Sequence, residues 1–134
     1  MNTFMNNQLF KDISDDTLSR INQIKKIDEF DLTKVERGIL SIHSPWSTQS
    51  IINGKSILNL IDDSASKDFE INIIDSDLLN SKKQIDLIDS VCHGYFESVW
   101  IENGKIEFTY CDNNRTTELV VFKEYLNNKI NKIR

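Results

Sequence analysis

The sequence predicts a single α/β domain with a central mixed sheet and helices on both faces. Three observations carry that prediction. Two short apolar runs rich in β-branched residues, Ile39 to His43 and Phe69 to Asp75, are separated by a stretch with helical spacing. That is the pattern of parallel strands joined by a crossover helix. Two further runs of β-forming residues flank Asn103-Gly104, and an Asn-Gly pair between such runs is a strong hairpin signal. The 134 residues include one proline and four glycines, with no linker, repeat or low-complexity block, so one domain over 1–134 is the economical division.

The elements follow in order. Residues 1–13 are expected to be a flexible lead, with Leu9, Phe10 and Ile13 as candidate anchors. Ser14-Asp15-Asp16 places small and acidic residues where a helix start has unpaired amides and a positive dipole end. Leu18, Ile21, Ile24 and Ile27 recur at steps of three, which predicts an amphipathic helix over about 15–28. Gly38 precedes the buried strand Ile39–His43, which must stop at Ser44-Pro45. Proline suits the first turn of a helix, where a missing amide costs nothing. Ile51, Ile52, Leu58 and Ile61 then predict a helix over about 47–65, with Asn53-Gly54 marking a kink. After the second strand, Ile85, Ile88 and Val91 predict a helix over Lys82–Cys92, and Gly94 sits where a helix end favours a left-handed residue. The hairpin Phe96–Ile101 and Lys105–Tyr110 follows, then a last helix over about 117–130 with Phe122, Tyr125, Leu126 and Ile130 as its apolar stripe.

Composition excludes several classes. The formal net charge is −5 and the sequence pI about 5.0, with lysine and arginine scattered, so no basic stripe exists to displace counterions from nucleic acid or to meet an anionic membrane. No basic leader precedes an apolar core, and no apolar run approaches the roughly 20 residues a bilayer span needs. A cytoplasmic location is expected. The two cysteines, Cys92 and Cys111, are too few for a disulfide framework. The Asn, Ile, Lys and Asp bias fits AT-rich bacterial coding.

The element order, with Trp46 directly after the first core strand, resembles the thioredoxin family, whose pattern at this junction is Trp-Cys-Gly-Pro-Cys. Here the run is Trp46-Ser47-Thr48-Gln49-Ser50. The family carries a Gly-x-cis-Pro turn before the hairpin, and Gly94-Tyr95-Phe96 stands in its place. The likeness covers about residues 35–130 and implies a thioredoxin-like three-layer sandwich. The departures concern the chemistry. Ser47 and Ser50 replace both cysteines, Phe96 replaces the proline, and Ser41 replaces the buried acid on the strand ahead of the motif. A cis bond before Phe96 is not expected, because without proline it costs about 2.5–4 kcal/mol.

Dithiol exchange needs one thiolate to attack and a second thiol to resolve the mixed disulfide. Serine supplies neither, so Trp46 to Ser50 reads as a vestigial active-site loop in which Ser47 caps a helix and Ser50 lies in its first turn. A Ser47 nucleophile would need His43 or His93 within reach as a base, and there is no nucleophile-elbow pattern. His43 is better read as a packed or rim histidine. Cys92-His93 with Cys111 and His43 offers zinc ligand types without a recognised spacing, so no metal is expected and Cys92 reads as a structural thiol. Asp75-Ser76-Asp77 lacks the glycine and distal glutamate of a calcium loop, and no glycine-rich phosphate cradle is present. No cofactor is expected.

What the resemblance implies for function is a surface. In thioredoxin-like proteins the motif loop and the proline turn border an apolar groove that grips extended polypeptide. Its counterparts here are Trp46, Tyr95 and Phe96, unless Phe96 only fills the space left by proline. The expected function is a redox-inactive protein-binding module of adaptor, assembly or immunity type. The alternative is a divergent thiol oxidoreductase or redox sensor using Cys92 or Cys111. The expected partner is another protein, with a homodimer left open.

Overall fold

The computed structural model describes residues 8–25, 30–76, 94–110 and 116–131, with backbone alone for residues 116 and 117. Five strands form one mixed sheet: β1 (Ile21–Ile24), β2 (Arg37–His43), β3 (Glu70–Asp75), β4 (Ser98–Glu102) and β5 (Lys105–Tyr110), in spatial order β1-β3-β2-β4-β5. β3 runs parallel to both β1 and β2, while β4 is antiparallel to β2 and β5 antiparallel to β4. Helices α1 (Asp15–Arg20), α2 (Thr48–Asp62) and α3 (Thr116–Ile130), with 3-10 turns at Gln8–Phe10 and Leu32–Lys34, complete the described elements.

Pleating sends alternate side chains of each strand to opposite faces. One face presents Ile39, Ile71, Ile73, Trp100 and Tyr110 to a large core closed by Ile57, Leu58 and Ile61 of α2 and by Phe122, Leu126 and Ile130 of α3. The other presents Leu40, Ile42, Ile74, Val99 and Ile101, with Phe30 and Leu32 packed on it. The helix expected over Lys82–Cys92 lies outside the described residues.

The N-terminal region corrects the expected helix over 15–28. Ser14 does cap α1, its hydroxyl accepting from the Thr17 amide at 3.2 Å, but the helix ends at Arg20 and Ile21–Ile24 continue as an edge strand beside β3. A spacing of three places residues on one face of a helix and on opposite faces of a strand. Ile21 accordingly packs on the α2 side and Ile24 on the other. Residues 8–13, ahead of α1, are also structured: Gln8–Phe10 form a 3-10 turn, and Leu9, Phe10 and Ile13 are buried in the main core.

Two further expectations change. Pro45 lies in a turn closed by the Ser47 amide donating to the Ser44 carbonyl at 2.9 Å, two residues ahead of the cap, where its fixed φ suits the turn's second position. Asn53-Gly54 does not interrupt α2, which runs unbroken from Thr48 to Asp62. The hairpin forms as expected, with Asn103 and Gly104 at φ +53° and +75°, both in the left-handed region that a two-residue turn requires. Phe96 and Glu97 precede β4 rather than belonging to it.

Candidate functional site

The parallel strand β2 delivers the chain to the N-terminus of α2, and the turn Gly94–Phe96 comes back alongside it. Ser47 joins the two. Its hydroxyl oxygen accepts from the Ser50 amide at 3.2 Å, which caps α2, and its hydroxyl donates to the Gly94 carbonyl at 2.6 Å. Gly94 has φ +84°, and a Cβ there would lie 2.9 Å from the Trp46 ring and 3.4 Å from the Ser47 hydroxyl. Only glycine lets the indole lie against this backbone. Trp46 is otherwise open, with 67% of its surface exposed.

Ser50 is buried one turn into α2, in a small polar cluster. Its oxygen accepts from the Ser44 amide at 3.0 Å and lies 3.0 Å from His43 Nδ1. With that amide donating to Ser50, the hydroxyl is placed to donate to Nδ1, which suits a neutral imidazole. Burial lowers the His43 pKa to about 4. His43 is thus the packed histidine of the two readings, and its Nδ1 is engaged by Ser50, not Ser47. The hydroxyl of Ser47 is committed to a carbonyl, so Ser47 and His43 form no nucleophile–base pair, and the hydroxyl–imidazole pair that does form, Ser50–His43, is fully buried. Ser41 is buried and its hydroxyl lies 2.6 Å from that of Ser98. A neutral hydroxyl pair therefore occupies the strand position for which the resemblance implies an acid.

Of the three aromatic residues expected to share a groove, the structure leaves one, Trp46, largely exposed. Thr48 and Gln49 are also exposed, in the first turn of α2. Tyr95 is half-buried, and its carbonyl accepts from Asn53 Nδ2 at 3.0 Å. Phe96 is fully buried and presents no surface to a partner. Its ring lies 5.9 Å from that of His43 and reaches the backbone of α2 at Gly54, where a Cβ would be 2.7 Å away. Phe96 fills space beneath the turn. Its backbone has φ +62°, a region a bulky residue rarely adopts, at a cost of order 1–3 kcal/mol. No peptide bond among the described residues is cis.

Sequence reasoning missed Asn53 and Gly54. Asn53 donates to the Tyr95 carbonyl and to the Tyr110 hydroxyl, both at 3.0 Å, and accepts from Gln49 at 2.8 Å. It ties α2 to the turn and to β5. The available signal was a polar residue followed by glycine in mid-helix, which has a close-packing explanation as well as a kink. Cys92, His93 and Cys111 lie outside the described residues. Among the described residues, no group of three potential ligands is placed to hold a metal.

This sheet order, with its helix springing from the end of β2, defines a thioredoxin fold. No family model matches the chain and no curated protein matches it. Solved structures do. One described as a putative oxidoreductase with a thioredoxin fold superposes with a TM-score of 0.57 at 12% identity, over 81% of this chain and 96% of that one. A mutant thioredoxin from Halobacterium salinarum gives 0.55 at 12% identity, over 86% and 94%. The thioredoxin of Malassezia sympodialis gives 0.54 at 15% identity, over 78% and 89%. At such identities the likeness concerns the fold, and activity has to be argued from the residues present.

Proposed function

We propose that this thioredoxin-fold chain performs no dithiol exchange at its strand–helix junction and instead binds another protein there, in the cytoplasm and without a cofactor. The observation that carries the reading is Trp46, a large apolar ring left 67% exposed on a turn that Ser47 and Gly94 hold in place. A rigidly held tryptophan offers much contact area with little side-chain entropy to lose, which is why tryptophan dominates binding hot spots. The oxygens beside it support the first half of the proposal. Ser47 and Ser50 spend their hydroxyls on the cap, the Gly94 carbonyl and the His43–Ser44 cluster. The binding surface centres on Trp46, with the half-buried Tyr95 beside it and Phe96 beneath.

Two measurements test this. Tagged protein should capture a specific partner from its host lysate, and Trp46→Ala should lose it, since truncating a hot-spot residue costs about 2 kcal/mol or more. Equal capture by both proteins would remove Trp46 from the interface. Insulin reduction should stay at background. Activity that vanished in Cys92→Ser or Cys111→Ser would replace the binding reading with a thiol oxidoreductase. A homodimer as the partner would show as a concentration-dependent mass in light scattering that Trp46→Ala abolishes.

A further inference from the structure

We infer that the N-terminal arm, Gln8–Ile13, is a strap that sets the shape of the Gly94–Phe96 turn, acting through Leu9 where it meets Phe96 over Gly54. The inference rests on the Trp46 reading for its functional meaning, and on geometry alone for the coupling itself. Two segments distant in sequence, the arm and the Gly94–Phe96 turn, converge on one point of α2. A Cβ at Gly54 would lie 2.5 Å from Leu9 Cδ1 and 2.7 and 2.8 Å from two ring carbons of Phe96. Leu9 and Phe96 are both fully buried, so neither has solvent to move into. The missing side chain at Gly54 is what lets both press on the same helix turn.

Phe96 is the residue whose conformation requires such a wall. At φ +62° its backbone is held against its own preference, and such conformations persist only where surroundings over-determine them. The walls around it include the His43 ring at 5.9 Å, the helix at Gly54, and Leu9. The first two belong to the sheet and its main helix. Leu9 belongs to an arm that is buried in the main core through Leu9, Phe10 and Ile13 and is tied to α2 at the surface by Lys55 Nζ, which donates to the Gln8 and Lys11 carbonyls at 3.2 and 3.0 Å. Leu9 is thus a wall supplied from outside the sheet and its main helix. When it is truncated, Phe96 loses a contact that helps hold it in the left-handed region. As Phe96 relaxes to negative φ, the preceding peptides swing. Those peptides carry the Tyr95 carbonyl bound by Asn53 and the Gly94 carbonyl bound by Ser47, against which Trp46 rests. Leu9 and Gly54 are thus positioning residues for the Trp46 surface.

The test is read by NMR on the full chain, from the Trp46 indole N–H and the Gly94 and Tyr95 amides. Leu9→Ala should move these three resonances. Leu126→Ala, an equal truncation in the same core but on α3, should lower the melting temperature without moving them. Should Leu9→Ala fail to fold, Leu9→Val and the surface change Lys55→Ala replace it, with smaller shifts in the same directions. Phe96→Gly should uncouple the system, because glycine holds φ +62° without strain, so adding Leu9→Ala to it should leave Gly94 unmoved. Shifts no larger in the arm variants than in Leu126→Ala would overturn the inference. Capture of a partner by Trp46→Ala as well as by wild type would overturn the binding reading and leave the coupling standing, because the resonances are read on the protein alone.

Discussion

His43 and Ser47 show how single side chains constrain this molecule. Burial holds the His43 pKa near 4, whereas in the unfolded chain it returns to about 6.5. Below pH 6.5 the unfolded chain binds a proton that the folded protein refuses, so folding loses stability as pH falls from 6.5 to 4. The loss approaches about 3 kcal/mol in total. Urea midpoints measured across that window should fall steadily for the wild type and much less for His43→Gln, and identical slopes would rule His43 out as the cause. Asp62 titrates lower still, because hydroxyls of Ser14 and Thr17 donate to its carboxylate and favour the charged form. Its contribution is present above the unfolded carboxylate pKa and is lost only in stronger acid. At Ser47 one hydroxyl both caps α2 and ties down Gly94, so Ser47→Ala should destabilise by about 1–2 kcal/mol. Hydrogen exchange at Gly94 and Tyr95 should quicken with it, whereas a cap alone would loosen only the first turn of α2.

At the scale of elements, α2 and β5 each carry an irregularity with a packing reason. Glycine in mid-helix costs up to about 1 kcal/mol relative to alanine, so Gly54→Ala on an isolated helix would stabilise. In this protein a Cβ would strike Leu9 and Phe96 at 2.5 to 2.8 Å, and overpacking of that kind costs typically 1–3 kcal/mol. Gly54→Ala is therefore expected to lower the melting temperature, and a rise would mean that the arm or the Phe96 ring gives way freely. In β5 the pairing shifts between Trp100 and Ile101, whose partners are Phe108 and Ile106, leaving Glu107 as the extra residue of a bulge. Phe108 consequently packs on the α3 side and Ile106 on the opposite face, although both are even-numbered. Glu107 is freed to accept from the Tyr125 hydroxyl at 2.8 Å and to pair with Lys129 at 3.1 Å.

The whole molecule is closed at the end of the sheet away from Trp46 by a network joining β2, β4, β5 and α3. Arg37 donates to the Asp68 and Lys129 carbonyls at 2.9 and 2.7 Å, and Glu102 accepts from the Trp100 indole at 3.1 Å and pairs with Lys129 at 3.2 Å. Burial alone would raise the Glu102 pKa, but the indole, Lys129 and Arg37 outweigh it and hold the carboxyl below its ordinary value. The pair is partly solvated, so Glu102→Gln should cost only about 1 kcal/mol and the loss should shrink in high salt. A loss independent of salt would point to packing instead. Because the folded pKa is depressed, this contribution is present above the unfolded carboxylate value and disappears as pH falls through the folded one.

The sequence by itself determined the fold class, because period-two and period-three apolar patterns and an Asn-Gly turn are local properties written in consecutive residues. It also determined that Ser47 and Ser50 do no thiol chemistry, since that follows from the elements oxygen and sulfur. Tertiary structure alone decided whether Ile21–Ile24 became helix or strand. Leu18, Ile21 and Ile24 satisfy a helical stripe, and only the presence of β3 as an open parallel neighbour makes the strand the better solution. It alone decided that Phe96 is buried and Trp46 is not, since both are large aromatics beside turns. The difference lies in Leu9 and Gly54, contacts that residues 87 and 42 positions away supply. Burial depends on which distant segments arrive at a point in space, and one-dimensional patterns do not carry that information.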